Sequence, residues 1–206
     1  MNIRLENIGK RFNREWIFKS ITADFEANSS CAILGGNGSG KSTLIQILSG
    51  FLTPSEGRIS WVENEKSIAV DQIYKHVALA TPYSALYEDF TLEENVKFFL
   101  NFKELSCGSD PGVFAELVGL EKHRHKALKF YSSGMRQRVK LGLAILAKSD
   151  ILLLDEPVSH FDAKAIDWYQ QLLSANSNNR SVFVASNSNA AEIFLCKRTF
   201  AVEDFK

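Results

Sequence analysis

Gly35-Gly36-Asn37-Gly38-Ser39-Gly40-Lys41-Ser42, read as GGNGSGKS, decides the fold of this 206-residue chain. It fits G-x-x-x-x-G-K-[ST] and lies between a short apolar run, SCAIL (30–34), and a stretch of helical character, KSTLIQILSG (41–50). Glycines at such spacing let successive N–H groups turn inward around a phosphate, and a helix that starts there adds its positive end. Lys41 can then reach β and γ phosphates, with the Ser42 hydroxyl on Mg²⁺. Strand, glycine loop and helix in that order predict an α/β fold.

Further along, ILLLDEP (151–157) is a continuous aliphatic run ending in two carboxylates. Such runs are strands buried on both faces of a parallel sheet, and open sheets of this kind bind ligands at the carboxyl ends of their strands. Asp155 is placed to hold Mg²⁺, and Glu156 to polarise a water for attack on a γ-phosphate. Upstream, YSSGMRQR (131–138) is too polar for core and too short for a linker, yet it opens the apolar helix MRQRVKLGLAILAK (135–148).

The remaining segments supply the frame. NIRLENI (2–8) and ITADFEA (21–27) alternate as half-buried strands, TPSEG is a turn, and RISWV (58–62) is another strand. TLEENVKFFLNFK (91–103) opens with Thr91 and Glu94 in capping-box spacing, with Leu92, Val96 and Phe99 as its apolar stripe. ELSCGSDPG (104–112) reads as a loop before the helix VFAELVGL (113–120). Together these predict a small helical insertion at about 85–130. The helix AKAIDWYQQLLS, the strand SVFVAS, a short helix around AAEIFL and a last strand RTFAV complete one domain spanning 1–206.

Composition excludes other classes. Apolar residues make up 45% and charged residues 23%, an ordinary globular balance. Lys plus Arg equals Asp plus Glu at 24 each, so no positive field draws in nucleic acid or an acidic membrane surface. Cys31, Cys107 and Cys196 are odd in number and lack CxxC spacing, which suits a reducing compartment. The charged start MNIRLENIGKRF is no secretion signal, and no apolar run approaches the roughly 18 residues of a membrane span. His123 and His125 in KHRHK stand two apart, so on a helix they share no face for a metal.

In their order and context these motifs resemble the ATP-binding subunits of ABC transporters over nearly the whole chain. GGNGSGKST, with Thr43, is similar to Walker A, ILLLDEP to Walker B, YSSGMRQR to the signature, and VSHFD (158–162) to the D-loop with Ser159 and Asp162. The resemblance implies an ATPase of P-loop fold with an N-terminal antiparallel β subdomain and an inserted helical one. It implies ATP with Mg²⁺, the metal on Ser42 and Asp155, and Lys41 and Glu156 as catalytic groups. It also implies a homodimer in the ATP state, in which Ser132, Ser133, Gly134 and Met135 of one copy cap the nucleotide held by the other. Phe12 corresponds to the adenine-stacking aromatic. The implied location is the cytoplasmic face of a membrane, through a separate transmembrane permease that docks near PYSALYEDF (82–90).

Three places depart from the family. Where it has a glutamine after the strand VALA, this chain has Thr81, Pro82 or Tyr83; where it has Thr-His after SVFVA, this chain has Ser186-Asn187. Within the signature, Tyr131, Ser133 and Met135 replace the usual Leu, Gly and Gln. Asn187 can donate a hydrogen bond but cannot become cationic. Slow hydrolysis is the expectation, with a subunit of strongly reduced hydrolysis, a soluble ABC-type ATP switch and a small P-loop kinase as the alternatives.

Overall fold

The computed structural model describes residues 1–159 and 161–206. Two sheets organise it. The first is antiparallel, in the order β2-β1-β4-β5, from β1 (Asn2–Phe12), β2 (Glu15–Phe25), β4 (Glu56–Glu63) and β5 (Lys66–Ile68). The second is parallel, in the order β6-β7-β8-β3-β9, from β3 (Ser30–Leu34), β6 (Val77–Ala80), β7 (Ile151–Asp155), β8 (Ser181–Ser186) and β9 (Arg198–Ala201).

Two cores flank the parallel sheet, and the period of two along its strands decides which side chain enters which. Ile151 and Leu153 of β7, with Phe183 and Ala185 of β8, face α1 (Lys41–Leu48) and the antiparallel sheet. Leu152, Leu154, Val182 and Val184 face the opposite way. There they meet α4 (Ser133–Leu146) and α5 (Ala163–Ala175), in a core that also takes in α2 (Leu92–Leu100) and α3 (Pro111–Leu117). Burial on both faces is why ILLL shows no alternation. Leu44, Ile47 and Leu48 of α1 are buried as expected, and so is Ile45, because α1 is enclosed between the two sheets. Trp61 extends that contact by donating its indole N–H to Leu48 O at 3.0 Å.

Helix boundaries follow their caps. Thr91 accepts the Glu94 N–H, and Glu94 accepts the Thr91 N–H, closing the capping box of α2. Its stripe of Leu92 and Val96 is buried, while Phe99 packs only partly. Two expectations are corrected. ELSCGSDPG is not loop throughout: Asp110 accepts the Gly112 N–H and Pro111 fills the first helical position, so α3 starts there. The helix after the signature stops at Leu146 rather than at Lys148. Ala147 turns extended (φ −62, ψ 132), and Lys148 N–H donates to Glu104 O, which ties the chain to the segment before α3. The helix near AAEIFL is the four-residue α6 (Ala190–Ile193). Among the described residues, no helix is long and apolar enough to cross a membrane.

Candidate functional site

Four strand ends place the site. In the parallel register Leu34 pairs with Ser186, Ala185 with Asp155, and Ala80 with Leu154. The residues that follow, Gly35, Asn187, Glu156 and Thr81, therefore leave the sheet at the same carboxyl edge, where open α/β sheets hold ligands.

The glycine loop fits there because side chains are excluded from it. A Cβ on Gly35 would stand 2.4 Å from Ser39 Oγ, and one on Gly40 (φ 105) would stand 2.6 Å from Ile17 Cγ2. Ser39 N–H donates to Gly36 O and Leu44 N–H to Gly40 O, so α1 starts directly from the loop. Gly40 caps it with no side chain, which leaves the first-turn N–H groups from Lys41, Ser42 and Thr43 free of a protein cap. Asn37 and Gly38 form the exposed tip, and a Cβ on Gly38 would meet nothing within 4 Å.

Lys41 is only 4% exposed, and its ammonium donates to Gly35 O at 2.9 Å and Gly36 O at 3.1 Å. It also lies 3.6 Å from Glu156 Oε1. Glu156 is left-handed (φ 47); its N–H donates to Ala185 O at 2.9 Å and its carbonyl accepts the Ser159 N–H. That conformation costs on the order of 1 kcal/mol or more for a non-glycine residue. It turns the carboxylate off the strand toward Lys41.

Asp155 is 1% exposed, and neither carboxylate oxygen has a hydrogen-bond partner among the described residues. Burial pushes its pKa up, against the nearby Ser42 hydroxyl, which lowers it; Glu156 adds to the rise and Lys41 opposes it. The Ser42 hydroxyl is close to Asp155 yet closes no hydrogen bond with it, since both oxygens stay orphaned. An uncompensated buried carboxylate beside a serine hydroxyl is a hard-oxygen donor set, and it fits Mg²⁺. Ser39 Oγ is equally buried and has no hydrogen-bond partner among the described residues.

The other sequence-derived residues fall in two places. Phe12 ends β1 half-exposed, with Lys10 Nζ 5.1 Å from its ring centroid, so it is not core. Its hairpin touches the glycine loop through Ile17 and Phe18 against Gly40. Asn187 is exposed and directly follows Ser186, which pairs with Leu34 at the start of the glycine loop. Ser132 caps α4 by accepting the Met135 N–H at 3.2 Å, and a Cβ on Gly134 would meet nothing within 4 Å, so this helix start is open. Ser132, Gly134 and Met135 line a cleft of about 380 Å³ with Asp162, which itself caps α5. Ser133 and Ser159 line another, of about 670 Å³, with Glu156. Neither cleft is lined by a residue of 35–43, although the second brings Ser133 of the signature to the cleft that holds Glu156. His160, inside the D-loop stretch, lies outside the described residues.

Thr81, Pro82 and Tyr83 are the residues that follow VALA, where the family has its glutamine, and Thr81 is the first of them. It is buried, and its N–H and hydroxyl engage Ser84 Oγ at 3.1 Å. An amide does approach from elsewhere: Gln137 Nε2 donates to Pro157 O at 3.1 Å, and Gln137 lines the cleft that contains Glu156. Glu203 was likewise not singled out by any motif, yet its Oε1 accepts the Gly36 N–H at 2.7 Å. Both come from distant parts of the chain and carry no sequence signal. An apolar groove of about 730 Å³ opens between α1, β6, α2 and α4, with Phe51, Tyr74, Leu86, Phe102 and Lys140 on its walls, away from the glycine loop.

The family described as ABC transporter matches residues 18–159. The chain is 30% identical over 201 residues to the ABC transporter ATP-binding protein YybJ of Bacillus subtilis, covering 94% of this chain and 89% of that one. It is 32% identical over 166 residues to the spermidine/putrescine import ATP-binding protein PotA of Fusobacterium nucleatum, but spans only 44% of that relative's length. Among solved structures, a dimeric ATP-binding cassette in a post-hydrolysis state with ADP and Pi shares the fold, at TM-score 0.81 and 21% identity over 98% of this chain and 94% of its own.

Proposed function

Since this chain belongs to the ABC transporter family of ATP-binding proteins, we propose that it hydrolyses ATP as the energy-coupling subunit of a membrane transporter. Two copies close head to tail on two ATP molecules, and a separate transmembrane permease converts closing and reopening into transport. The observation that carries the reading is the shared sheet edge. There Lys41, Asp155 and Glu156 converge beside a glycine loop, while Ser132, Gly134 and Met135 of the signature stand open in a cleft that includes none of the three. A second copy would bring an open α4 start, with Ser132, Ser133, Gly134 and Met135, over the phosphates held by the first.

The residues divide the work. The loop amides of 35–43 and Lys41 hold phosphate, with Lys41 leaving its carbonyl partners for the β and γ oxygens. Ser42 and Asp155 would hold Mg²⁺, which neutralises charge on those oxygens. Glu156 orients and polarises the attacking water, Asn187 donates to the γ-phosphate, and Phe12 stacks on the base. Ser159 and Asp162 shape the dimer seam. The helical segment at about 85–130 moves with the signature, and the apolar groove offers the permease a seat on the cytoplasmic face.

Slow turnover is favoured by two features. Thr81 is spent on Ser84, and Asn187 is shorter than the family's histidine and permanently uncharged, so two secondary contacts to the reacting group are weak or missing. Positioning and charge stabilisation dominate phosphoryl transfer, and Lys41, Ser42, Asp155 and Glu156 retain them. Phosphate release from Mg-ATP by the purified chain, measured beside Glu156→Gln, tests the reading. Faster release by the wild type supports it; equal rates refute it.

A further inference from the structure

One carboxylate beside the site has no task in the reading above. Glu192, on α6, is 4% exposed and joins three elements. Its Oε2 accepts the Ser186 hydroxyl at 2.5 Å, its Oε1 accepts the Val158 N–H at 3.3 Å, and its main-chain carbonyl accepts the Tyr169 hydroxyl of α5 at 3.1 Å. Ser186 Oγ in turn accepts the Asn189 N–H at 3.0 Å, so the loop after β8 closes on the same network.

The positions of these partners give the network its meaning. Ser186 is the last residue of β8 and immediately precedes Asn187, while Val158 stands two residues after Glu156. We propose that Glu192 is a positioning residue for phosphoryl transfer: its carboxylate clamps the loop that carries Asn187 to the turn that carries Glu156. The two groups that would flank the γ-phosphate are thereby held at one separation. This rests on the hydrolytic reading of the site.

A buried carboxylate is an expensive way to fill space, and an apolar side chain would serve packing alone better. Burial pushes Glu192 upward in pKa, the Ser186 and Val158 donors pull it down, and Glu156 and Asp155 push it up again. A joint made of two donated hydrogen bonds from two different strand exits is what distinguishes it from filler. Removing the acceptor leaves both donors orphaned and the exits free to part.

The test compares the wild type with Glu192→Ala, Glu192→Gln, Ser186→Ala and the Ser186→Ala/Glu192→Ala pair, all in the full chain. The readouts are Mg-ATP turnover, affinity for a fluorescent ATP analogue, and amide exchange of the stretches around 158 and 189. In Glu192→Ala, kcat is expected to fall about tenfold to a hundredfold while nucleotide affinity stays within about twofold, as misplacement of reacting groups predicts. Glu192→Gln, which keeps a carbonyl acceptor, should restore most of the rate. The paired variant should lose little beyond Glu192→Ala, because both changes break one joint. Exchange should rise in both stretches together. An unchanged kcat in Glu192→Ala, a Gln variant as slow as the Ala variant, or exchange rising in one stretch alone would overturn the proposal. If the wild type releases phosphate no faster than Glu156→Gln, the hydrolytic reading fails by itself. The exchange arm still decides the clamp: a joint rise supports it, and a one-sided or absent rise rejects it.

Discussion

Gly40→Ala tests whether the glycine loop is shaped by exclusion of side chains. Gly40 has φ 105, where an L-residue is strained by about 1–2 kcal/mol. The added Cβ would lie 2.6 Å from Ile17 Cγ2 and 3.0 Å from Phe18 Cδ1. Phe18 is fully buried and cannot swing into solvent, and half-buried Ile17 packs against the same core, so overpacking adds about 1–3 kcal/mol. The total is about 2–5 kcal/mol, and for a chain of this size each kcal/mol moves Tm by about 2–4 °C. Circular dichroism melts should therefore show a loss of about 4–20 °C, with a weaker response to added Mg-ATP because the loop is displaced. A variant melting within about 2 °C of the wild type, with unchanged nucleotide affinity, would refute the exclusion argument.

Other consequences are equally specific. Asn187→His, at an exposed position, should raise phosphate release several-fold, since replacing a short neutral donor by a longer one that can become cationic is worth on the order of a kcal/mol at the transferring group; an unchanged rate would show that Asn187 does not face the phosphate. Leu152→Ala, between β7 and the α4 side of the sheet, should cost about 2–5 kcal/mol in urea unfolding without changing the slope. Ser132→Ala removes the α4 cap and should cost about 1 kcal/mol in stability. Burial pushes the Cys31 thiol up to about 11 and the Cys196 thiol up to about 12. The thiolate forms only as pH rises toward those values, so at pH 8 about one Cys31 in a thousand is ionised and alkylation of Cys31 in the native chain, read by peptide mapping, should be slow. Rapid labelling of Cys31 at pH 8 would contradict that burial.

The parallel sheet was legible because its strands are buried on both faces and therefore read as unbroken aliphatic runs, as in ILLL and SVFVA. The glycine loop and the two carboxylates were legible because phosphate chemistry fixes both residue type and spacing. What escaped was set by tertiary approach. Gln137 and Glu203 reach Pro157 and Gly36 from 20 and 167 residues away, and no local pattern announces a hydrogen bond across such a separation. Glu192 reads in sequence as one more polar residue on a short surface helix, yet it is buried because Tyr169 and Val158 close over it. Helix ends were missed for a related reason. Ala147 has good helix propensity, but pairing with Leu105 pulls it out of the helix.

The central claim is that ATP joins two copies, held by the glycine loop of one and capped by the α4 start of the other. Sedimentation of Glu156→Gln at saturating ATP and millimolar Mg²⁺, with its membrane partner supplied if needed, measures it directly. The reading predicts a shift from 23.1 kDa to twice that mass, abolished by removing nucleotide. A species that stays single under all these conditions would contradict it.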